Sequence, residues 1–156
     1  MLDLFDEFNK LVTLLAERTI DYALCGGLAL AVYGIPRATI DIDLLIMPES
    51  LETVVPLTRE LGYKKEALPM RFADKGIEIC RVSKLDQDSG DILMLDLLLV
   101  TPAILPVWES RKEVAWEHGT LWVVSRDGLI ALKSLRGSGQ DFEDISHLKK
   151  ECADER

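Results

Sequence analysis

Apolar residues at Phe5, Phe8, Leu11, Val12 and Leu15 recur at spacings of three and four. That is the periodicity of a helix with one buried stripe, and it predicts a helix over residues 3–18. Tyr22–Cys25 is a short apolar run closed by Gly26 and Gly27, and the LALAVYG that follows is rich in good helix formers. A strand, a glycine turn and a short helix are expected there. After the breaks at Gly34 and Pro36, TIDIDLLIM (Thr39–Met47) resumes as a β-branched, apolar strand whose residues alternate between faces.

Ser50 is placed to cap a helix running to about Leu61, with Pro56 expected to kink or shorten it and Gly62 to stop it. Tyr63–Leu68, Met70–Ala73 and Ile77–Leu85 read as shorter strands, the last two separated by Asp74-Lys75-Gly76. Ile92–Val100 is a nearly continuous apolar run of the kind covered on both faces. Lys112–Glu117 and Leu121–Ser125 flank His118-Gly119-Thr120 as a hairpin, and two helices, about Arg126–Leu135 and Asp141–Glu151, are joined by RGSGQ. With no internal repeat, the pattern describes an α/β or α+β chain, a mixed sheet flanked by helices with helices at the C-terminal end. Its 156 residues suit a single domain, taken as 1–156.

Composition narrows the function classes. A formal net charge of -9 opposes docking on long nucleic-acid duplexes, whose affinity rests on Lys and Arg neutralising phosphates. It leaves open a local cleft in which Arg37, Lys64, Lys65, Arg71, Lys133 or Arg136 receives a triphosphate or an RNA end. Cys25, Cys80 and Cys152 are far apart and odd in number, which indicates neither a disulfide framework nor a zinc knuckle and suits a reducing cytoplasm. The longest apolar run is interrupted by Asp96 and is too short to cross a bilayer.

The chemistry concentrates in the acids. Asp41 and Asp43 stand two apart on one predicted strand and share a face, while Ile40, Ile42, Leu44 and Ile46 fill the other. Like charges at about 4 Å repel by roughly 4 kcal/mol at an effective dielectric near 20, so the pair calls for a cation or a shared proton. Asp96 interrupts ILMLDLLLV where a structural strand would use an aliphatic residue, and an unpaired buried carboxylate is costly. If the two strands are neighbours, three carboxylates converge and oxygen ligands favour magnesium or manganese. The structural alternative places Asp41 or Asp43 at a solvent-facing edge and pairs Asp96 with an arginine. Upstream, Gly26-Gly27 between strand and helix offers backbone N–H groups to phosphate oxygens.

The order Gly26-Gly27, thirteen intervening residues, Asp41-x-Asp43, then a lone acid on a later apolar strand resembles the polymerase-beta-like nucleotidyltransferase superfamily. CGGLALAVYGIPRATIDIDLLI looks like its core signature, and GLIALKSLRGSGQDFEDISHL resembles the C-terminal helical segment of the small prokaryotic branch, which includes minimal nucleotidyltransferases and toxin-antitoxin enzymes. The likeness runs from about Tyr22 to Leu148 and is loose between Leu51 and Gly90.

The resemblance implies an enzyme that moves a nucleoside monophosphate from a nucleoside triphosphate, ATP among the candidates, to a hydroxyl. Asp41, Asp43 and Asp96 would be its catalytic and magnesium-binding carboxylates, and Gly26, Gly27, Arg37, Thr39 and Lys133 would lie on the nucleotide. Lys133 and Arg37 have equally ordinary readings as a solvated helix lysine and a carboxylate partner. Asp141 and Asp144 either orient Lys133 or Arg136 or, for Asp141, cap a helix. His118 and His147 receive no role, and Trp108, Trp116 and Trp122 are read as core before base-stacking residues. The acceptor stays open between a small molecule such as an aminoglycoside or lincosamide, a tRNA end and a protein hydroxyl. A homodimer or an antitoxin-like partner completing the cleft is compatible with the sequence, and a membrane partner is not expected. The rival class is a nucleotide-sensing or partner-binding protein that keeps the fold without turnover.

Overall fold

The computed structural model describes residues 2–35, 41–72 and 76–136, together with Ser146 and Lys149. The helix expected over 141–151, with Asp141, Asp144 and His147, lies outside that description apart from those two residues, as do Arg37, Thr39, Asp74, Lys75 and Cys152.

The first apolar stripe forms α1 (Leu4–Glu17), whose N-terminus is capped by the Asp3 carboxylate accepting the Asp6 N–H, and Phe8, Leu11, Val12 and Leu15 are buried along it. There follow β1 (Ala23–Cys25), α2 (Gly26–Val32), β2 (Asp41–Ile46), α3 (Leu51–Glu60), β3 (Lys65–Glu66), β4 (Met70–Phe72), β5 (Ile77–Leu85), β6 (Ile92–Leu99), α4 (Leu105–Glu109), β7 (Lys112–Trp116), β8 (Gly119–Val123) and α5 (Arg126–Arg136).

Three local expectations are corrected. The Ser50 side chain accepts no capping hydrogen bond from α3, because the 3-10 turn Pro48–Ser50 runs directly into the helix and leaves Ser50 in helical dihedrals. Pro56 does not shorten α3, which continues to Glu60. Pro56 and Glu52 are both exposed, so the carbonyl that loses its i→i+4 partner at Glu52 is on the side open to water. Ser125 belongs to α5 instead of to the preceding strand: its Oγ accepts the Gly128 N–H at 3.0 Å as an N-cap. The hairpin forms with Gly119, at φ +125°, opening β8 in place of the turn centre. The segment 102–109, a 3-10 turn leading into α4, has no counterpart in the sequence reading.

The strands make one mixed sheet in the order β3-β5-β6-β2-β1-β8-β7, with β4 also paired to β5. β2 lies parallel to β6 and β1 parallel to β8, while the remaining pairs are antiparallel. The sheet has two different faces. On one, Ile42, Leu44, Ile46, Leu95 and Leu97 are fully buried, and α1 packs there, since its Glu7 reaches Lys84 on β5. On the other stand Asp41, Asp43, Asp96, Arg81 and Ile79, the alternate positions of the same strands. No helix among the described residues is long and apolar enough to cross a membrane.

Behind the apolar face sits a charged knot. Glu7 Oε1 accepts from Lys84 Nζ at 2.8 Å and Glu7 Oε2 from the Tyr63 hydroxyl at 3.2 Å, with Glu7 buried. Burial, and then the Glu7 charge, push the Tyr63 phenol far above its ordinary range, so it stays a donor. Lys84→Met should lower stability by about 3 kcal/mol, because it strands a buried carboxylate, and the added change Glu7→Gln should recover most of the loss. Urea unfolding of the single and double variants reads this directly.

Candidate active site

Register decides which acids meet. Asp43 stands directly opposite Asp96 across the parallel β2–β6 pair, Cys25 faces Asp43 across β1–β2, and Arg81 faces Asp96 across β5–β6. One row crosses four strands: Arg81, Asp96, Asp43, Cys25. Asp41 is two residues along on the same face, beside Met94. The three carboxylates separated in the sequence are thus gathered on one face of two adjacent strands.

Their environments differ. Asp96 has a side chain only 7% exposed, and Arg81 holds it in a two-point pair, Nε to Oδ1 at 2.7 Å and Nη2 to Oδ2 at 2.9 Å. The pairing alternative for Asp96 is therefore realised together with the convergence. Burial first, and the charge of Asp96 second, raise the Asp41 carboxyl above its ordinary value, with Arg81 opposing. The hydrogen bond to Asp96 holds the Arg81 guanidinium still more firmly charged, against burial, with Asp96, Asp41 and Asp43 all adding to it.

Gly26 opens α2 at φ +68°, and a Cβ placed there would overlap the Asp43 carboxylate, lying 2.7 Å from its Cγ. Its backbone and the acid are in near contact because no side chain intervenes. Gly27 is buried in the same turn. Ser125 caps α5, and Leu129, Leu132 and Lys133 share the helix side turned to the acids. Lys133 is 6% exposed, which corrects the reading of a solvated helix lysine.

Gly26, Asp43, Arg81, Asp96 and Lys133 line a cavity of about 90 Å³, together with the apolar Met70, Ile79, Leu98, Leu129 and Leu132. Arg71 pairs instead with Glu78 at 3.6 Å, and Lys64 and Lys65 are exposed at β3. The tryptophans stay out of the cavity: Arg111 lies 4.0 Å over Trp108 and 5.0 Å over Trp122, while Trp116 packs on Phe8 and His118. Sequence reasoning missed Arg81 and the apolar residues of the lining. The available signal for Arg81 was a charged residue inside the strand Ile77–Leu85.

The donors suit a hard divalent cation: carboxylate oxygens, with a backbone cradle at Gly26 that a side chain would fill. Among the described residues no three carboxylate, imidazole or thiol groups are arranged to hold one ion. Asp41 and Asp43 are the acids on this face without the two-point Arg81 pairing of Asp96 and could hold a cation.

Two variants test this geometry. Gly26→Ala should cost about 1–3 kcal/mol, from the left-handed backbone and the collision with Asp43, in chemical unfolding. An unchanged midpoint would mean that the close approach is absent. Asp41→Asn should raise the thermal midpoint of chelator-treated protein by roughly 2–4 °C, the displacement about 1 kcal/mol produces at this size, because it relieves burial and repulsion of the charge. A lowered midpoint contradicts the like-charge argument.

No protein-family profile matches the chain, and no curated protein matches it in sequence. Solved structures do. The lincosamide antibiotic adenylyltransferase LnuA, in a crystal structure with lincomycin bound, is 17% identical with a TM-score of 0.56, over 92% of this chain and 95% of its own. TM1012 of Thermotoga maritima, assigned as a nucleotidyltransferase, is 16% identical with a TM-score of 0.61, over 97% and 93%. The antibiotic-resistance factor ANT(2'')-Ia, for which substrate-regulated conformational dynamics are described, is 17% identical with a TM-score of 0.57, over 97% and 83%. At such identities the likeness is one of fold, and the chain has the nucleotidyltransferase fold that the glycine and aspartate pattern resembles.

Proposed function

We propose that this protein is a magnesium- or manganese-dependent nucleotidyltransferase that moves a nucleoside monophosphate from a nucleoside triphosphate to a hydroxyl. The observation that carries the reading is Asp43 opposite Asp96 on adjacent parallel strands, with the bare backbone of Gly26 against Asp43. Acids on one face of a sheet serve no packing purpose, and Asp41 is disfavoured in its charged form there. A bound divalent cation supplies the missing positive charge and stabilises the charge that develops on the transferring phosphoryl group.

The chain's own groups divide the remaining work. Asp41 and Asp43 hold the cation, and Gly26 and Gly27 let the triphosphate approach the backbone and the start of α2. Lys133, buried on α5, lines the same cavity as Asp43 and Asp96 and is assigned to the phosphates. Asp96, opposite Asp43, would complete the set of carboxylates that hold the cation, on the side assigned to the acceptor, whose hydroxyl gives its proton to water as the new oxygen–phosphorus bond forms and pyrophosphate leaves. Arg37 and Thr39, which lead into β2, are assigned to the nucleotide on the resemblance alone. The net charge of -9 and the apolar residues in the cavity lining favour a small hydroxyl compound, as LnuA and ANT(2'')-Ia suggest by their names, over an RNA end.

A second reading has one observation in its favour: both oxygens of Asp96 are already engaged by Arg81, as they would be in a protein that senses nucleotide without turnover. Purified protein incubated with labelled triphosphates, magnesium and the small-molecule fraction of a lysate distinguishes the two. We expect pyrophosphate release and a labelled product, with Asp43→Asn folded and at least about a hundredfold slower, a loss of roughly 2.7 kcal/mol of charge stabilisation. Full activity in Asp43→Asn removes the enzyme assignment, and nucleotide binding without pyrophosphate favours the sensor.

A further inference from the structure

Two cationic groups bear on the acids, and they are held differently. Lys133 is buried on a helix. The Arg81 side chain is 33% exposed, and its charged end bridges both oxygens of an Asp96 that is itself almost wholly enclosed. A guanidinium on both oxygens meets a carboxylate with two parallel hydrogen bonds, the strongest pairing a side chain offers. It stands on the sheet face shared with Asp43 and Asp41 and is favoured by the charge of all three acids. A divalent cation drawn to Asp96 would meet a fixed positive charge already on the same oxygens, and the two repel.

We propose that Arg81 is an internal competitor for the cation position at Asp96: it keeps that carboxylate paired in the empty protein and yields it when a bound triphosphate brings compensating negative charge. Arg81 is a positioning residue in this scheme, acting through Asp96. The partial exposure of its side chain leaves room for the guanidinium to turn from Asp96 toward the phosphates. The device ties assembly of the complete acid set to the arrival of substrate, so the cation occupies all three carboxylates only with nucleotide present. This inference rests on the nucleotidyltransferase reading.

The test is Mn2+ binding followed by electron paramagnetic resonance, with folding checked by thermal melting. Without nucleotide, Arg81→Gln should bind Mn2+ at least tenfold more tightly than the natural protein, and adding Asp96→Asn to that variant should abolish the gain. Arg81→Lys, which keeps the charge but not the two-point geometry, should fall between. A purely structural arginine would lower the melting point on substitution without raising metal affinity, so equal Mn2+ affinity in a folded Arg81→Gln overturns the proposal.

Should Arg81→Gln not fold, the natural protein answers through the Arg81 Nε–H resonance. Its protection from solvent exchange should survive Mg2+ alone and be lost with Mg2+ plus inorganic tripolyphosphate; protection that persists with both overturns the proposal. If tripolyphosphate confers no Mn2+ binding that Asp43→Asn removes, the nucleotidyltransferase reading itself fails. If it does, and Arg81→Gln or the resonance shows no change, only the competition at Asp96 fails.

Discussion

The organisation of this protein depends on keeping like charges together on one face of β2 and β6. Asp43 and Asp96 are direct lateral neighbours and Asp41 is one alternation away, an arrangement that would drive two free strands apart. The opposite face prevents this. Ile42, Leu44 and Ile46 of β2 and Leu95 and Leu97 of β6 are fully buried beneath α1 and its surroundings. A slip of one residue would exchange the acid and aliphatic faces of a strand. The apolar face therefore fixes the register that forces the acids to meet.

Everything near the acids answers that concentration of charge. Arg81 enters from β5 on one side, and α5 brings Lys133 over the cavity with Leu129 and Leu132 anchoring the helix. Gly26 leaves the space that any larger residue would take from Asp43. The cavity lining therefore combines charged side chains with the apolar Met70, Ile79, Leu98, Leu129 and Leu132.

Two buried carboxylates with cationic partners show how one interaction serves different ends. Glu7 is tied to Lys84 and Tyr63 behind the sheet, away from the cavity, and it fastens α1 to β5 and the segment after α3. Asp96 is tied to Arg81 within the cavity lining. Burial of the acid is similar, with side chains 5% and 7% exposed. Of these two pairs, the second alone lines the cavity.

Much of this was legible along the chain, because period and breaker residues act locally. The stripe Phe8, Leu11, Val12, Leu15 declared α1, the alternation in Asp41–Ile46 declared a strand with two acids on one side, and the lone Asp96 marked a site within an otherwise aliphatic run. Local pattern misjudged Ser50 and Ser125, whose roles depend on how one element runs into the next. It gave no sign that Arg81 would reach Asp96, fifteen residues on. That pairing requires β5 and β6 to be antiparallel in a particular register, and β2 to lie parallel on the far side of β6. Local pattern supplied most of the elements, α4 excepted, and the three acids. The sheet order decided which charges became neighbours, since electrostatic energy depends on distance through space and the chain records only distance along itself.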